Sequence, residues 1–277
     1  MTIFGPAIDL RPEFPRERAA LLDLLAALTD QDWTRPTVCP GWTVKDITAH
    51  ILNDYLRRIS GSRDGHPGAR FVNDETLPDY LARTNEEFVR ASRQCSPRVL
   101  IDLLTHLGPQ LDELWSRKVL DEPADLGVSW ADPEQVSPTW LDIARDYTEF
   151  WVHQQQIRDA VARRGADEPR LFGPVVDTFL RALPHALRTE TRPAGTGLSF
   201  EVTGPAGGIW SAVRSEDRWR LALGTVESPA ARITMDQDVL WRLASRGIGV
   251  EQARQRAELR GDPGLCAAAT TLLAIVW

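Results

Sequence analysis

Glu149 and His153 form the pair of residues whose types and spacing most directly suggest metal chemistry. They lie four residues apart within residues 140–163, where apolar side chains recur at helical spacing. This spacing places both side chains on one face of a helix, one turn apart. Their face also carries Phe150 and Ile157, so it is partly apolar and we expect it to point inward.

A third candidate ligand, His50, lies on the apolar stripe of another predicted helix, which begins near Thr43 and ends near Ile59. Two facing helices can bring two imidazoles and one carboxylate to a common point. This set suits zinc with a fourth position open, and iron or another divalent metal also accepts it. Spacing alone does not link His50 to the other two residues, and an isolated E-x3-H pair is more often a surface feature.

The elements that would position these residues are long helices. Helical periodicity over residues 16–28 precedes four longer segments, at residues 43–59, 77–93, 97–119 and 140–163, with long loops before the second and the fourth of these. This pattern predicts a four-helix bundle, with up-and-down topology as the default. We expect the bundle to occupy residues 1–166.

The remaining residues, 167–277, predict a small α+β domain. After a helix at residues 174–187, two alternating segments at 198–203 and 209–213 flank a Gly-Gly turn and indicate a β-hairpin. Two further strands are expected at residues 218–223 and 231–235. Helices are expected at residues 237–245, 250–257 and 263–276.

Composition narrows the class of protein. The net charge of -7 and the absence of a basic stripe argue against nucleic-acid binding. No apolar run reaches the length of a membrane span, and the first residues do not resemble a signal peptide. Three separated cysteines, Cys39, Cys95 and Cys266, favour a reducing cytoplasm over a disulfide framework. We therefore expect a cytoplasmic protein, either a monomer or a homodimer.

Two motifs resemble a known family. Residues 38–50, VCPGWTVKDITAH, follow LTDQDW at residues 28–33 and are similar to the N-terminal signature of mycothiol-dependent maleylpyruvate isomerase-like proteins. That family consists of DinB-like metal-binding four-helix bundles. Residues 149–153, EFWVH, resemble the family's helix that carries Glu and His. The resemblance implies that His50, Glu149 and His153 are the metal ligands, with Zn²⁺ or another divalent metal bound.

The resemblance extends into the second half of the chain. Residues 233–246 and 259–265 are similar to the sterol-carrier-like domain that is appended in this family. The resemblance also implies mycothiol, the low-molecular-weight thiol of actinobacteria, as co-substrate. One position departs from the family: many relatives carry Asp three residues after the second histidine, where this chain has Gln156.

On this basis we predict a metal-dependent S-transferase that joins mycothiol to a small electrophilic metabolite. The alternatives are a cis–trans isomerase of the maleylpyruvate type, a metal-dependent hydrolase, and a zinc-stabilised ligand-binding module without activity. Arg158 and Arg246 are the predicted catalytic residues, since a guanidinium could hold a substrate carboxylate. Aromatic residues predicted to line the thiol site are Trp42, Tyr147 and Trp151.

Overall fold

The computed structural model describes residues 4–125, residue 131 and residues 136–272. Their contacts divide the chain into two compact units. The helical unit contains residues 9–119 and 149–166, and the sheet unit contains the described residues of segments 4–8, 120–148 and 167–272. The boundary predicted at residue 166 stays a prediction. Much of the second predicted loop, at residues 126–130 and 132–135, lies outside the described residues.

The helical unit is built from long helices that match the predicted ones closely. Its helices are α1 (Phe14–Ala26), the single-turn α2 (Asp30–Trp33), α3 (Val44–Arg58), α4 (Leu77–Ser92), α5 (Pro97–Ser116) and the second part of α6 (Thr139–Val161). A short 3-10 turn at Arg11–Glu13 precedes α1, and a π-type turn at Ile59–Arg63 extends α3. Helix α3 packs against α4 and α5, and α1 packs against α5.

Capping fixes where α3 begins, and therefore where His50 lies. Thr43 accepts a hydrogen bond from the backbone N–H of Asp46, and the Asp46 carboxylate accepts from the backbone N–H of Thr43. This reciprocal capping box satisfies two otherwise unpaired donors at the start of the helix. The Arg93 guanidinium donates to Asp46 at 2.9 Å and ties the end of α4 to the start of α3. The Thr-x-x-Asp spacing of residues 43–46 is the sequence pattern typical of such a box.

Aromatic side chains fill the centre of the helical unit. Phe150 of α6 lies with its ring centroid 4.9 Å from that of Tyr55 and 6.0 Å from that of Phe14. Trp115 of α5 packs on the other side of Phe14, and all four side chains are almost fully buried. Their burial holds the helices at fixed spacing, because closely packed protein interiors resist displacement.

A buried polar layer crosses the same unit. The Glu17 carboxylate accepts a hydrogen bond from the Gln154 side-chain amide at 2.7 Å, and only 1% of Glu17 is exposed. Arg18 forms an ion pair with Asp112 across α1 and α5. Arg158, which follows Gln154 on α6, extends this layer by donating to the oxygen of the Gln154 amide.

The sheet unit contains one five-stranded sheet. Its strands are β1 (Gly197–Thr203), β2 (Gly208–Arg214), β3 (Trp219–Leu223), β4 (Ala231–Asp236) and β5 (Ala257–Gly261). Their order is β3-β2-β1-β4-β5, with β1 and β4 parallel and all other neighbours antiparallel. The predicted hairpin is confirmed, with Phe200 opposite Trp210. The edge strand β5 was not predicted.

Short helices complete the sheet unit. They are α7 (Pro169–Leu180), α8 (Leu183–Ala186), α9 (Gln237–Ala244), α10 (Val250–Gln255) and α11 (Pro263–Ala269). In place of the single helix predicted at residues 174–187, the structure has the two helices α7 and α8. Helix α7 begins at Pro169, before the predicted start. Helices α9 and α11 pack against the sheet. Among the described residues, no helix is long and apolar enough to cross a bilayer.

Candidate metal centre

His50, Glu149 and His153 lie together inside the helical unit. The Nε2 atom of His153 is 2.9 Å from Oε1 of Glu149, and Nε2 of His50 is 3.6 Å from the same oxygen. The two imidazole rings are perpendicular, with centroids 4.6 Å apart. The potential ligand atoms of all three residues lie within 4.8 Å of one another. Two helices, α3 and α6, therefore bring the predicted ligands to one point.

This donor set fits a divalent metal. Ligand bonds of about 2.1 Å in a tetrahedral arrangement place neighbouring ligand atoms about 3.4 Å apart. The measured separations of 2.9 and 3.6 Å lie on either side of that value. The Nδ1 atom of His50 is buried and has no hydrogen-bond partner among the described residues. The three residues could thus hold zinc with a fourth position for another ligand.

The charge state of Glu149 suits this role. Burial raises the pKa of its carboxyl, but the His153 and His50 imidazoles outweigh burial and hold the pKa well below its usual range. Glu149 in turn raises the pKa of His153, against the effect of burial. The Glu149 side chain keeps 31% of its surface exposed, which leaves one side of the group open.

Gln156 orients His153. Its side-chain oxygen lies 2.7 Å from Nδ1 of His153, and because an amide oxygen only accepts, the imidazole proton must be on Nδ1. The contact therefore leaves Nε2 as the nitrogen that faces Glu149 and that is available to a metal. The Cys39 thiol donates to the same amide oxygen at 3.3 Å. Burial raises the pKa of Cys39 to about 11, so it remains a thiol at neutral pH.

Asp54 belongs to the site and was not predicted. Asp54 lies one turn after His50 on α3, and its Oδ2 atom is 3.5 Å from Nε2 of His50. Its Oδ1 atom is 3.6 Å from Nη1 of Arg57. The available signal was the H-x3-D spacing, which is the same spacing that drew attention to Glu149 and His153.

The three predicted aromatic residues have different surroundings. The Trp42 ring centroid lies 5.2 Å from that of His50, and its indole N–H donates to Glu86 at 3.0 Å. Trp151 is buried in the helical unit and donates to the carbonyl of Ala166. Tyr147 is buried in the sheet unit and donates to the carbonyl of Leu171. The Trp42 ring therefore lies beside a candidate ligand.

The two predicted catalytic arginines lie in different units, Arg158 in the helical unit and Arg246 in the sheet unit. Arg158 donates to the Gln154 amide oxygen and to the carbonyls of Ala20 and Arg164. Arg246 follows α9 in the sheet unit, with a left-handed φ of 59°. A substrate-binding role for either one stays a prediction.

The chain belongs to the family defined by the mycothiol maleylpyruvate isomerase N-terminal domain, whose family model matches residues 14–158. The match covers more than half of the chain and includes all three candidate ligands. It ends before the sheet unit's strands, so the sterol-carrier-like assignment of residues 167–277 stays a prediction.

Two solved structures share the fold. One is the mycothiol-dependent maleylpyruvate isomerase and the other is a histidine-to-alanine mutant of that enzyme. Each is 16% identical to this chain, with a TM-score of 0.50, and the match covers 89% of this chain and 93% of the other. This likeness confirms the predicted architecture of a helical N-terminal region followed by an α+β region. No curated protein matches the chain.

Proposed function

We propose that this protein is a metal-dependent enzyme that uses mycothiol to isomerise a small substrate of the maleylpyruvate type. The observation that carries the proposal is the convergence of His50, Glu149 and His153 in a chain of this family. The two solved structures of the same fold are of one mycothiol-dependent maleylpyruvate isomerase, which supports isomerisation over other uses of the thiol.

The three ligand residues would hold the metal, and the surrounding residues would keep them in place. Such a cation, when bound, lowers the pKa of a thiol and so supplies a thiolate nucleophile at neutral pH. Gln156 keeps a proton on Nδ1 of His153 and turns Nε2 toward Glu149. The Trp42 ring lies beside the His50 ring, which is itself buried.

Isomerisation by this route consumes no reagent, because the thiol that adds to the substrate is later released. The thiolate sulfur adds to one carbon of an activated cis double bond, and the electron pair moves onto the conjugated carbonyl. The former double bond, now single, rotates. The carbon–sulfur bond then breaks, the double bond forms again in the trans geometry, and the thiol is released unchanged.

S-transfer, the function predicted first from the sequence, shares the addition step. It differs because the adduct is protonated and leaves with the sulfur attached, so one thiol is consumed for each product. The same residues would support both outcomes, and the fate of the thiol distinguishes them.

The test is to incubate the zinc-loaded protein with maleylpyruvate, with and without mycothiol, and to quantify product and free thiol. Isomerisation predicts trans product that forms only with mycothiol, at constant thiol concentration. Stoichiometric loss of thiol would indicate transfer. Turnover that is equal without thiol, as a hydrolase would show, or that persists in His153→Ala, would refute the proposal.

A further inference from the structure

A row of polar side chains, of which all but the buried Asn53 are at least partly exposed, lies beside the candidate metal centre between α3 and α4. We call it the polar row, and it consists of Asn53, Asp54, Arg57, Asn85 and Glu86. Asp54 contacts the Nε2 atom of His50 at 3.5 Å, which joins the row directly to a candidate ligand. Since a helix rises 1.5 Å per residue, the seven residues from His50 to Arg57 span about 10 Å.

The row is held together by contacts centred on one amide. The side-chain oxygen of Asn85 accepts hydrogen bonds from the Asn53 amide at 3.4 Å and from the Arg57 guanidinium at 3.2 Å. Arg57 also faces Asp54 at 3.6 Å. At the other end, Glu86 accepts from the indole N–H of Trp42, whose ring lies beside His50. The side chains are therefore fixed in position before any ligand arrives.

Several groups of the row keep hydrogen-bonding capacity. Within the described part of the chain, the Asn53 side-chain oxygen, the Asn85 side-chain NH₂ and the second oxygen of Glu86 have no protein partner. Asn85 and Glu86 are half-buried, Asn53 is buried, and 39% of the Arg57 side chain is exposed. Donors and acceptors thus alternate along a surface that a ligand can reach.

The charge of the row selects the kind of ligand. It carries two carboxylates, of Asp54 and Glu86, against the single guanidinium of Arg57. A ligand with carboxylate or phosphate groups would meet net repulsion there. Hydroxyl groups are matched instead, because each one donates to a carboxylate or amide oxygen and accepts from an N–H.

We propose that the polar row binds the neutral, hydroxyl-rich body of the thiol co-substrate while its sulfur lies at the metal centre. The proposal rests on the proposed function for the position of the sulfur, and it adds the residues that would select one thiol over another. Small thiols without hydroxylated rings would reach the metal centre but gain little from the row, and anionic thiols would be disfavoured.

The test uses the cobalt(II)-loaded protein, in which the absorption band from sulfur to cobalt reports thiol binding without turnover. Mycothiol and 2-mercaptoethanol are titrated into the wild-type protein, Asn85→Ala and Arg57→Gln. The matched control is Glu87→Ala, an exposed residue two positions along the same helix. Cobalt stoichiometry shows that each variant retains the folded metal centre.

We expect Asn85→Ala to raise the Kd for mycothiol about tenfold, the effect of losing one or two hydrogen bonds to neutral groups. Arg57→Gln should act in the same direction, whereas the Kd for 2-mercaptoethanol and both Kd values of Glu87→Ala stay unchanged. If Asn85→Ala and Arg57→Gln bind mycothiol as the wild-type protein does, and the wild type shows a clear band, the polar row does not bind the thiol. The proposed function would stand in that case. If neither thiol produces the band in the wild-type protein, the proposed function fails as well.

Discussion

The side-chain oxygen of Gln156 lies 2.7 Å from Nδ1 of His153, so that Nε2 is the imidazole nitrogen that faces Glu149 in the candidate metal centre. The sequence marked Gln156 as a departure from the Asp that many relatives carry. The structure shows that the amide keeps the acceptor role of a carboxylate at this position. Because the amide is neutral, it orients the imidazole without adding negative charge next to it.

We predict that Gln156→Leu weakens metal binding about 10- to 100-fold, the usual effect of removing a group that orients a ligating histidine. Gln156→Glu, which retains an acceptor oxygen, should restore most of the affinity. Competition with a chromophoric chelator measures both dissociation constants.

The control for this prediction is Gln155→Leu, since the neighbouring amide donates to the carbonyl of Gly165 and does not touch an imidazole. It should leave the metal affinity unchanged even if stability falls. Equal metal affinities in Gln156→Leu and the wild-type protein would show that Gln156 does not orient His153.

A second prediction concerns the pH dependence of stability. Burial raises the pKa of Glu17 from 4.5 to about 7, and a hydrogen bond from Gln154 only partly offsets this. Because the pKa is higher in the folded state, the stability associated with protonated Glu17 is complete below about pH 4.5 and is lost as the pH rises through 7. The loss is at most about 3 kcal/mol.

Glu17→Gln removes the titrating group and keeps an oxygen that can accept from Gln154. The variant should be more stable than the wild-type protein at pH 8, and this difference should shrink as the pH falls toward 4.5. Urea unfolding at several pH values measures the difference, with the exposed Glu87→Gln as control. A stability difference independent of pH would contradict a raised pKa for the buried Glu17 carboxyl.

A third prediction separates structural and substrate-binding roles of Arg158. Its guanidinium links α6 to the carbonyl of Ala20 in α1 and to the carbonyl of Arg164. We expect Arg158→Lys to lower the free energy of unfolding by roughly 1–3 kcal/mol, since lysine cannot reproduce these hydrogen bonds. The KM for substrate should change little. A large rise in KM at unchanged stability would instead support the substrate role predicted from the sequence.

The clustering of the three candidate ligands could be predicted in part because their positions follow from local helical geometry. Glu149 and His153 share one face of α6, and His50 lies on the inward face of α3. Family resemblance supplied the link between the two helices that spacing could not. The capping box at Thr43 also follows from local sequence, because it depends on the spacing between Thr43 and Asp46.

Other features depend on how separate elements pack, which spacing does not determine. Asn85 meets Asn53 and Arg57 through the packing of α4 on α3, and no pattern in either helix alone indicates that contact. The strand β5 was missed because residues 257–261 carry little apolar periodicity, and pairing with β4 makes them a strand. Arg158 has a surface-like sequence context, yet its guanidinium is bound by backbone carbonyls.

Elemental analysis of the purified protein, together with a zinc titration of the metal-free protein, shows whether His50, Glu149 and His153 bind a metal. We predict one divalent ion per chain in the wild-type protein and loss of that ion in His50→Ala, Glu149→Ala and His153→Ala. His106→Ala, which changes a histidine on α5, serves as the matched control and should keep the ion. A wild-type protein that binds no divalent metal, or a His153→Ala variant that keeps its full metal content, would contradict the account.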